Sequence, residues 1–283
     1  MSNKIKILLE KYNITPNKVL GQNFLIDKKY IIDLIASAEI SSKDVVIEVG
    51  PGTGGITQEL AKKAKKVIAV EKDPRLVKLL KDEFANHKNV EIVEDDILKF
   101  SIYNLQSANW RTNSQARSYK LVGAIPYYLT ARLFRKFLEN TENPPKLIAV
   151  IIPKKIAEKI TARPPKTNLL AISVQIYGKT KLEKQIPSSA FWPKPKINSA
   201  ILTVKNIEKP KTNEEELFRA VKAGFSSPRK QLAKNLSKQF KIPRADIENT
   251  LKTAGLDISI RAEALHPKDW LKLAELLRAN NLN

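Results

Sequence analysis

Between residues 45 and 152 short apolar runs alternate with amphipathic stretches, the pattern of strands and helices in a parallel α/β sheet. The spacing predicts strands over 45–49, 66–71, 90–94, 119–125 and 147–152. Apolar residues dominate each run instead of alternating with polar ones, as in strands covered on both faces. Helices are predicted over 57–64, 74–84 and 130–139, where apolar residues recur three or four apart with charges between them. Pro74 suits a first helical turn. Residues 28–38 read as another helix ahead of the sheet, with Asp27 as its N-cap. The polar, aperiodic stretch 102–118 is expected to be a surface loop.

After Gly178 the period changes to two over 179–186 and 200–204, which predicts a final antiparallel hairpin on the sheet. Beyond Glu208-Lys209-Pro210-Lys211 helical patterns take over, at 214–224, 229–240, 247–254 and 270–278. The expected architecture is α/β: a Rossmann-like domain over residues 1–207 followed by a small all-helical domain over 208–283.

Composition narrows the function. The longest apolar run, 147–152, is far too short to span a bilayer. Lys4, Lys6, Glu10 and Lys11 interrupt the apolar N-terminus, unlike a secretion signal. A soluble, cytoplasmic chain without a membrane partner is expected. There is no cysteine, so disulfides and thiolate metal sites are excluded. His87 and His266 stand in no metal-binding or triad spacing, and no metal is expected. Fifty Lys+Arg against twenty-nine Asp+Glu give a net charge of +21, which points to a polyanionic partner.

The first strand runs into Glu48-Val49-Gly50-Pro51-Gly52-Thr53-Gly54-Gly55, a glycine-rich turn leading into a helix. Ligands bind at such turns, at the carboxyl edge of a parallel sheet. The run also fits the G-x-G-x-x-G pattern of nicotinamide enzymes, so alone it does not choose a cofactor. Glu71 ends the second strand, where a carboxylate can accept both ribose hydroxyls. Asp95-Asp96 follows the third, where a carboxylate can accept the amino group of an adenine. The ordered set Glu48, Gly50, Glu71 and Asp96 resembles Rossmann-type methyltransferases and favours S-adenosylmethionine over NAD.

The fourth strand continues into Gly123-Ala124-Ile125-Pro126-Tyr127-Tyr128, similar to the N-(I/L)-P-Y motif of adenine N6-methyltransferases. Gly21-Gln22-Asn23-Phe24-Leu25 stands upstream, and Phe191-Trp192-Pro193-Lys194-Pro195-Lys196-Ile197-Asn198-Ser199 downstream. With Phe225-Ser226-Ser227-Pro228-Arg229-Lys230-Gln231-Leu232 and Arg261-Ala262-Glu263-Ala264-Leu265, these motifs resemble the KsgA (RsmA) family of 16S ribosomal RNA adenine dimethyltransferases over nearly the whole chain. The resemblance implies a cofactor site of Asn23, Leu25, Gly50, Gly52, Glu71, Asp96 and Ala124. It further implies dimethylation of two adjacent adenines in a hairpin loop near the 3′ end of small-subunit RNA, coupled to subunit assembly, by a monomer needing no protein partner. Catalytic positions carried over are Ala124 and Ile125 at the target amine, with Tyr127 stacking on the extruded base and Phe191 on its other face.

Ala124 departs from the pattern, because the motif has asparagine there and its side-chain oxygen accepts from the target amine. Hydrogen bonds to a charged group contribute about 1.5–3 kcal/mol, so turnover is expected to fall about tenfold to a hundredfold. The alternative function is therefore an RNA-binding assembly factor of the same family with weak or no methylation. A macrolide-resistance type 23S methyltransferase shares much of the motif set and ranks lower because of the C-terminal sequence. Between Ser226 and Arg244 stand six basic residues and no acidic one. Arg229, Lys230 and Lys234 are the RNA-binding candidates, with Lys230, Lys234, Lys238 and Lys241 expected as one stripe on a helix.

Overall fold

The structure is a computed structural model and describes residues 2–17, 20–101 and 118–279. Its strands are β1 (Phe24–Leu25), β2 (Val45–Val49), β3 (Lys66–Glu71), β4 (Val90–Glu94), β5 (Lys120–Ala124), β6 (Leu147–Pro153), β7 (Lys179–Ile186), β8 (Phe191–Trp192) and β9 (Ser199–Lys205). Seven of them form one sheet in the order β4-β3-β2-β5-β6-β9-β7, and β1 pairs with β8 in a separate two-stranded ribbon. The strands from β2 to β6 run parallel, and β9 joins β6 antiparallel. From β2 the chain winds outward through β3 and β4, then returns to β5 on the other side of β2. The strand order therefore reverses between β2 and β5, where doubly wound sheets open a ligand crevice.

Alternation along each strand sends Val46, Val67, Val122, Ala149 and Ile151 to one face, where they pack with Leu34, Ile35, Ile56 and Leu60. Those four come from the helices Lys28–Ser37 and Gly55–Ala61. Each fully buried Leu or Ile there contributes about 1.5–3 kcal/mol. The Asp27 side chain caps the first of these helices by accepting from the Lys29 N–H at 3.0 Å. Asp73 caps the helix Pro74–Glu83 in the same way.

Several elements differ from the sequence pattern. The predicted helix 57–64 begins two residues earlier, at Gly55. Residues 130–139 form an α-helix only over Thr130–Phe134 and widen to a π-turn over Arg135–Glu139. Ser2–Lys11 is a helix, with Leu9 packed beside Phe24, Leu76 and Phe84. Short helices also occur at Lys154–Ile160 and Leu169–Gln175. The helix expected from 229 starts at Leu232, after a turn pinned by Asn235, whose Nδ2 donates to the carbonyls of Gly224 at 2.6 Å and Ser227 at 3.0 Å. Of the expected loop 102–118, all but Ser118 lies outside the described residues.

The chain forms two compact units, one of 1–157 and 181–207, the other of 158–180 and 208–283. The stretch 158–180, expected in the first domain, thus groups with the C-terminal helices. In that second unit Leu217, Val221, Leu236, Ile247, Leu251, Leu273 and Leu277 are buried together with Trp270. Among the described residues no helix is long and apolar enough to cross a membrane, and no cluster of His, Asp or Glu could hold a metal ion.

Candidate active site

Strand register assembles the site. In the β2–β5 pair Val49 faces Gly123, so the glycine turn and Ala124 leave the sheet side by side. In the β3–β4 pair Glu71 faces Glu94, which sets Asp95 and Asp96 beside Glu71. The β1–β8 ribbon sets Leu25 opposite Phe191 and Phe24 opposite Trp192, joining the upstream and downstream motifs. Two glycines have steric reasons. A Cβ on Gly123 would lie 2.4 Å from the Val49 carbonyl oxygen, and Gly52, at φ +60°, turns where a Cβ would meet the Phe24 ring at 3.0 Å.

The carboxylates are tied to the backbone. Glu71 Oε1 accepts from the N–H groups of Lys72 at 2.8 Å and Asp73 at 3.0 Å, while Oε2 accepts from Gly52 at 3.2 Å. Burial raises its pKa nonetheless, because desolvation outweighs those three donors. Asp96 sits in a more open place: burial pushes its pKa up, but the Lys72 ammonium and the Leu98 N–H outweigh it and hold the carboxyl below its ordinary value. Asp95 Oδ1 accepts from the Asp96 N–H at 2.7 Å, tightening the turn. Gln22 Nε2 donates to Asp73 Oδ2 at 2.9 Å and so ties the upstream motif to the end of β3.

Glu48 differs from both. It is wholly buried, neither carboxylate oxygen has a hydrogen-bond partner among the described residues, and burial pushes its pKa up to about 8. The neighbouring Thr57, whose hydroxyl has no hydrogen-bond partner among the described residues, pulls the other way without cancelling the effect of burial. The charge on Glu71 adds to the rise.

Asn23, Leu25, Gly50, Gly52, Glu71, Asp96 and Ala124 line one cavity, together with Thr53, Lys72, Ile97, Pro126, Tyr128 and Arg132. Asn23 Nδ2 donates to the Gly21 carbonyl at 3.1 Å, bracing that wall. Ile125, Tyr127 and Phe191 are not among the walls. Ile125 is buried and its N–H donates to the Ile151 carbonyl at 2.9 Å. The Tyr127 hydroxyl pairs with Ser199 Oγ at 3.0 Å. Phe191 is buried in the apolar cluster that contains Leu25 and Ile31. Tyr128, which the motif includes without a role, stands on the cavity wall with its side chain 52% exposed. Sequence reasoning also misses Lys72 and Arg132; the only signal for Lys72 is its place next to Glu71. Arg229, Lys230 and Lys234 lie exposed in the second unit. Lys230 precedes the helix Leu232–Phe240 and Lys241 follows it, so only Lys234 and Lys238 of the expected stripe are helical.

The crystal structure of the 23S rRNA methyltransferase ErmE is similar to this chain, with 28% identity and a TM-score of 0.71 over 90% of this chain and all of that one. Fold and site together define a Rossmann-like methyltransferase whose cofactor is S-adenosylmethionine. The model of the ribosomal RNA adenine dimethylase family matches residues 13–279, and the chain belongs to that family. It is 36% identical to the ribosomal RNA small subunit methyltransferase A of Dehalococcoides mccartyi strain CBDB1, over 95% of this chain and 90% of the relative. It is 35% identical to the protein of that name from Bacillus pumilus, over 97% and 96%. A dimethyladenosine transferase from Plasmodium falciparum, 24% identical, shares the fold with a TM-score of 0.75 over 91% of this chain and 98% of that one.

Proposed function

We propose that the chain transfers methyl groups to the N6 amines of two adjacent adenines in a hairpin loop near the 3′ end of 16S rRNA, in the cytoplasm, on the small subunit during its assembly. The observation that carries this reading is that Ala124, Pro126 and Tyr128 share a cavity with Glu71 and Asp96, so target and cofactor elements meet. Glu71 would accept the ribose hydroxyls and Asp96 the adenine amine, with Gly50 and Gly52 admitting the cofactor close to the backbone. Bound there, S-adenosylmethionine would supply an electrophilic methyl on a sulfonium, for which the adenine N6 lone pair is the acceptor. An adenine amine is a weak nucleophile, so the residues around it contribute chiefly by holding it in line. Main-chain acceptors at the Ala124–Ile125 edge would face the developing positive charge, and Tyr128, beside Tyr127, offers a ring for the extruded base. Arg229, Lys230 and Lys234 would hold RNA phosphates.

A second reading rests on Ala124, which brings no side-chain acceptor to the cavity: the protein binds the same RNA and methylates it slowly. Transfer of label from S-adenosylmethionine to immature small subunits, run beside large-subunit RNA, tests both. Labelled small-subunit RNA supports the first reading. Labelled large-subunit RNA alone overturns the choice of substrate, and tight small-subunit binding without label favours the second.

A further inference from the structure

Lys72 joins the two acidic strand ends of the cavity. Its N–H donates to Glu71 Oε1 at 2.8 Å, which fixes its backbone, and its ammonium donates to Asp96 Oδ2 at 2.9 Å. The other Asp96 oxygen, Oδ1, is held by the Leu98 N–H at 3.0 Å. The Lys72 side chain is 57% exposed and that of Asp96 21%, so a solvent-side lysine pairs with a more covered carboxylate. Lys72 and Asp96 both line the cavity, with Ile97 beside them.

We propose that Lys72 is a cofactor-affinity determinant, a latch whose ammonium competes with the adenine amino group of the cofactor for Asp96 Oδ2. The inference rests on the reading of Asp96 as the adenine acceptor. Leu98 takes one acceptor site of Oδ1 while the turn stays intact, so Oδ2, the oxygen that Lys72 holds, is the one the two donors would contest. An ammonium carries a full charge and an adenine amine none, so the lysine is the stronger donor to a carboxylate. The contest stays winnable for the cofactor because the pair lies at the solvent edge, where such pairs are weak and screened by salt. The latch is thus set to lower affinity by about two- to fivefold at low ionic strength. It also gives cofactor binding a salt response opposite in sign to that of RNA binding, which weakens as counterions accumulate.

The test is titration calorimetry with S-adenosylhomocysteine, which carries no net charge, at about 0.05 M and about 0.5 M salt. Lys72→Met keeps the apolar stem and removes the ammonium; Lys72→Arg keeps the pair. The expected result is that the wild type and Lys72→Arg bind more tightly at high salt. Lys72→Met should bind about two- to fivefold more tightly at low salt and respond little to salt. In an Asp96→Asn background, where affinity is already weakened, the Lys72→Met gain should vanish. If Lys72→Met binds no more tightly than wild type while Asp96→Asn weakens binding, the latch is overturned and the adenine-acceptor reading survives. If Asp96→Asn leaves affinity unchanged, both fall together.

Discussion

The two sides of the cavity are built differently. On the side proposed for the cofactor three acids are tied down by backbone N–H groups: Glu71 by Gly52, Lys72 and Asp73, Asp95 by Asp96, and Asp96 by Leu98. On the base side Ala124 presents no polar side chain, the Tyr127 hydroxyl is engaged with Ser199, and Tyr128 stands half exposed. One side is preorganised before any ligand arrives, so its acceptors need little reorganisation when the cofactor binds. The other offers shape and a ring, and under the proposed function it would depend on RNA contacts to hold the adenine in line.

The largest expected effect lies beneath the cofactor side, at Glu48. Its folded-state pKa, about 8, is above the ordinary 4.5. The folded protein therefore keeps a proton that the unfolded chain loses between those values, and stability falls as pH rises from about 4.5 to about 8, then levels. Glu48→Gln should flatten this slope and exceed the wild type above the upper value by several kcal/mol, on the order of 1.4 kcal/mol for each pH unit separating the folded and unfolded values. Urea unfolding of both proteins at acidic, neutral and alkaline pH measures it, and parallel profiles would show that Glu48 does not titrate as described. Next, Glu71→Ala should cost about a hundredfold or more in affinity for S-adenosylhomocysteine, since it removes two acceptors for ribose hydroxyls. Circular dichroism must show the variant folded, and calorimetry with less than a few-fold loss contradicts the ribose role.

On the side proposed for the base, Ala124→Asn should raise turnover about tenfold to a hundredfold, with a smaller change in RNA affinity, because the added acceptor is felt as charge develops on the nitrogen. Wild-type turnover equal to that of the variant would mean that the main-chain acceptors suffice. Tyr128→Ala should lower turnover about tenfold by removing a stacking ring, whereas Tyr127→Phe, which loses only the Ser199 contact, should cost about fivefold or less. A loss from Tyr127→Ala, which removes that ring, larger than the loss from Tyr128→Ala would return the stacking role to Tyr127. The smallest effect is expected in the second unit. Replacing Arg229, Lys230 and Lys234 by alanine should reduce the salt slope of RNA binding by about 2, at roughly 0.7 per phosphate contact on single strands. Cofactor affinity should not move, and an unaltered slope would make these residues a solvated face.

Strands β2, β3 and β4 are legible to the residue, because buried parallel strands are continuous apolar runs with sharp polar ends. The carboxylates at those ends follow directly, since register brings Glu71 and Asp96 together once the strand order is fixed. Side-chain direction is not legible. Tyr127 and Tyr128 are neighbours in a 3-10 turn, and sequence alone does not say which ring faces the cavity. Phe191 reads as a base-stacking ring from its motif, but its place opposite Leu25 depends on a two-residue pairing too short to leave a periodic signal. The start of the helix at Leu232 is hidden for a similar reason: Asn235 reaches back to pin the preceding turn, a contact that helical periodicity does not encode. Nor does periodicity encode full burial without a hydrogen-bond partner, which sets Glu48 apart from Glu71 and Asp73.

The proposed function requires that one cavity join S-adenosylmethionine to an adenine amine of small-subunit RNA. Its most direct measurement is mass spectrometry of RNA nucleosides after incubating the wild-type protein with S-adenosylmethionine and immature small subunits. N6,N6-dimethyladenosine appearing at two adjacent positions near the 3′ end of 16S rRNA is the predicted result. Methylation at another atom, or none even with Ala124→Asn on substrate that the protein binds, would contradict it.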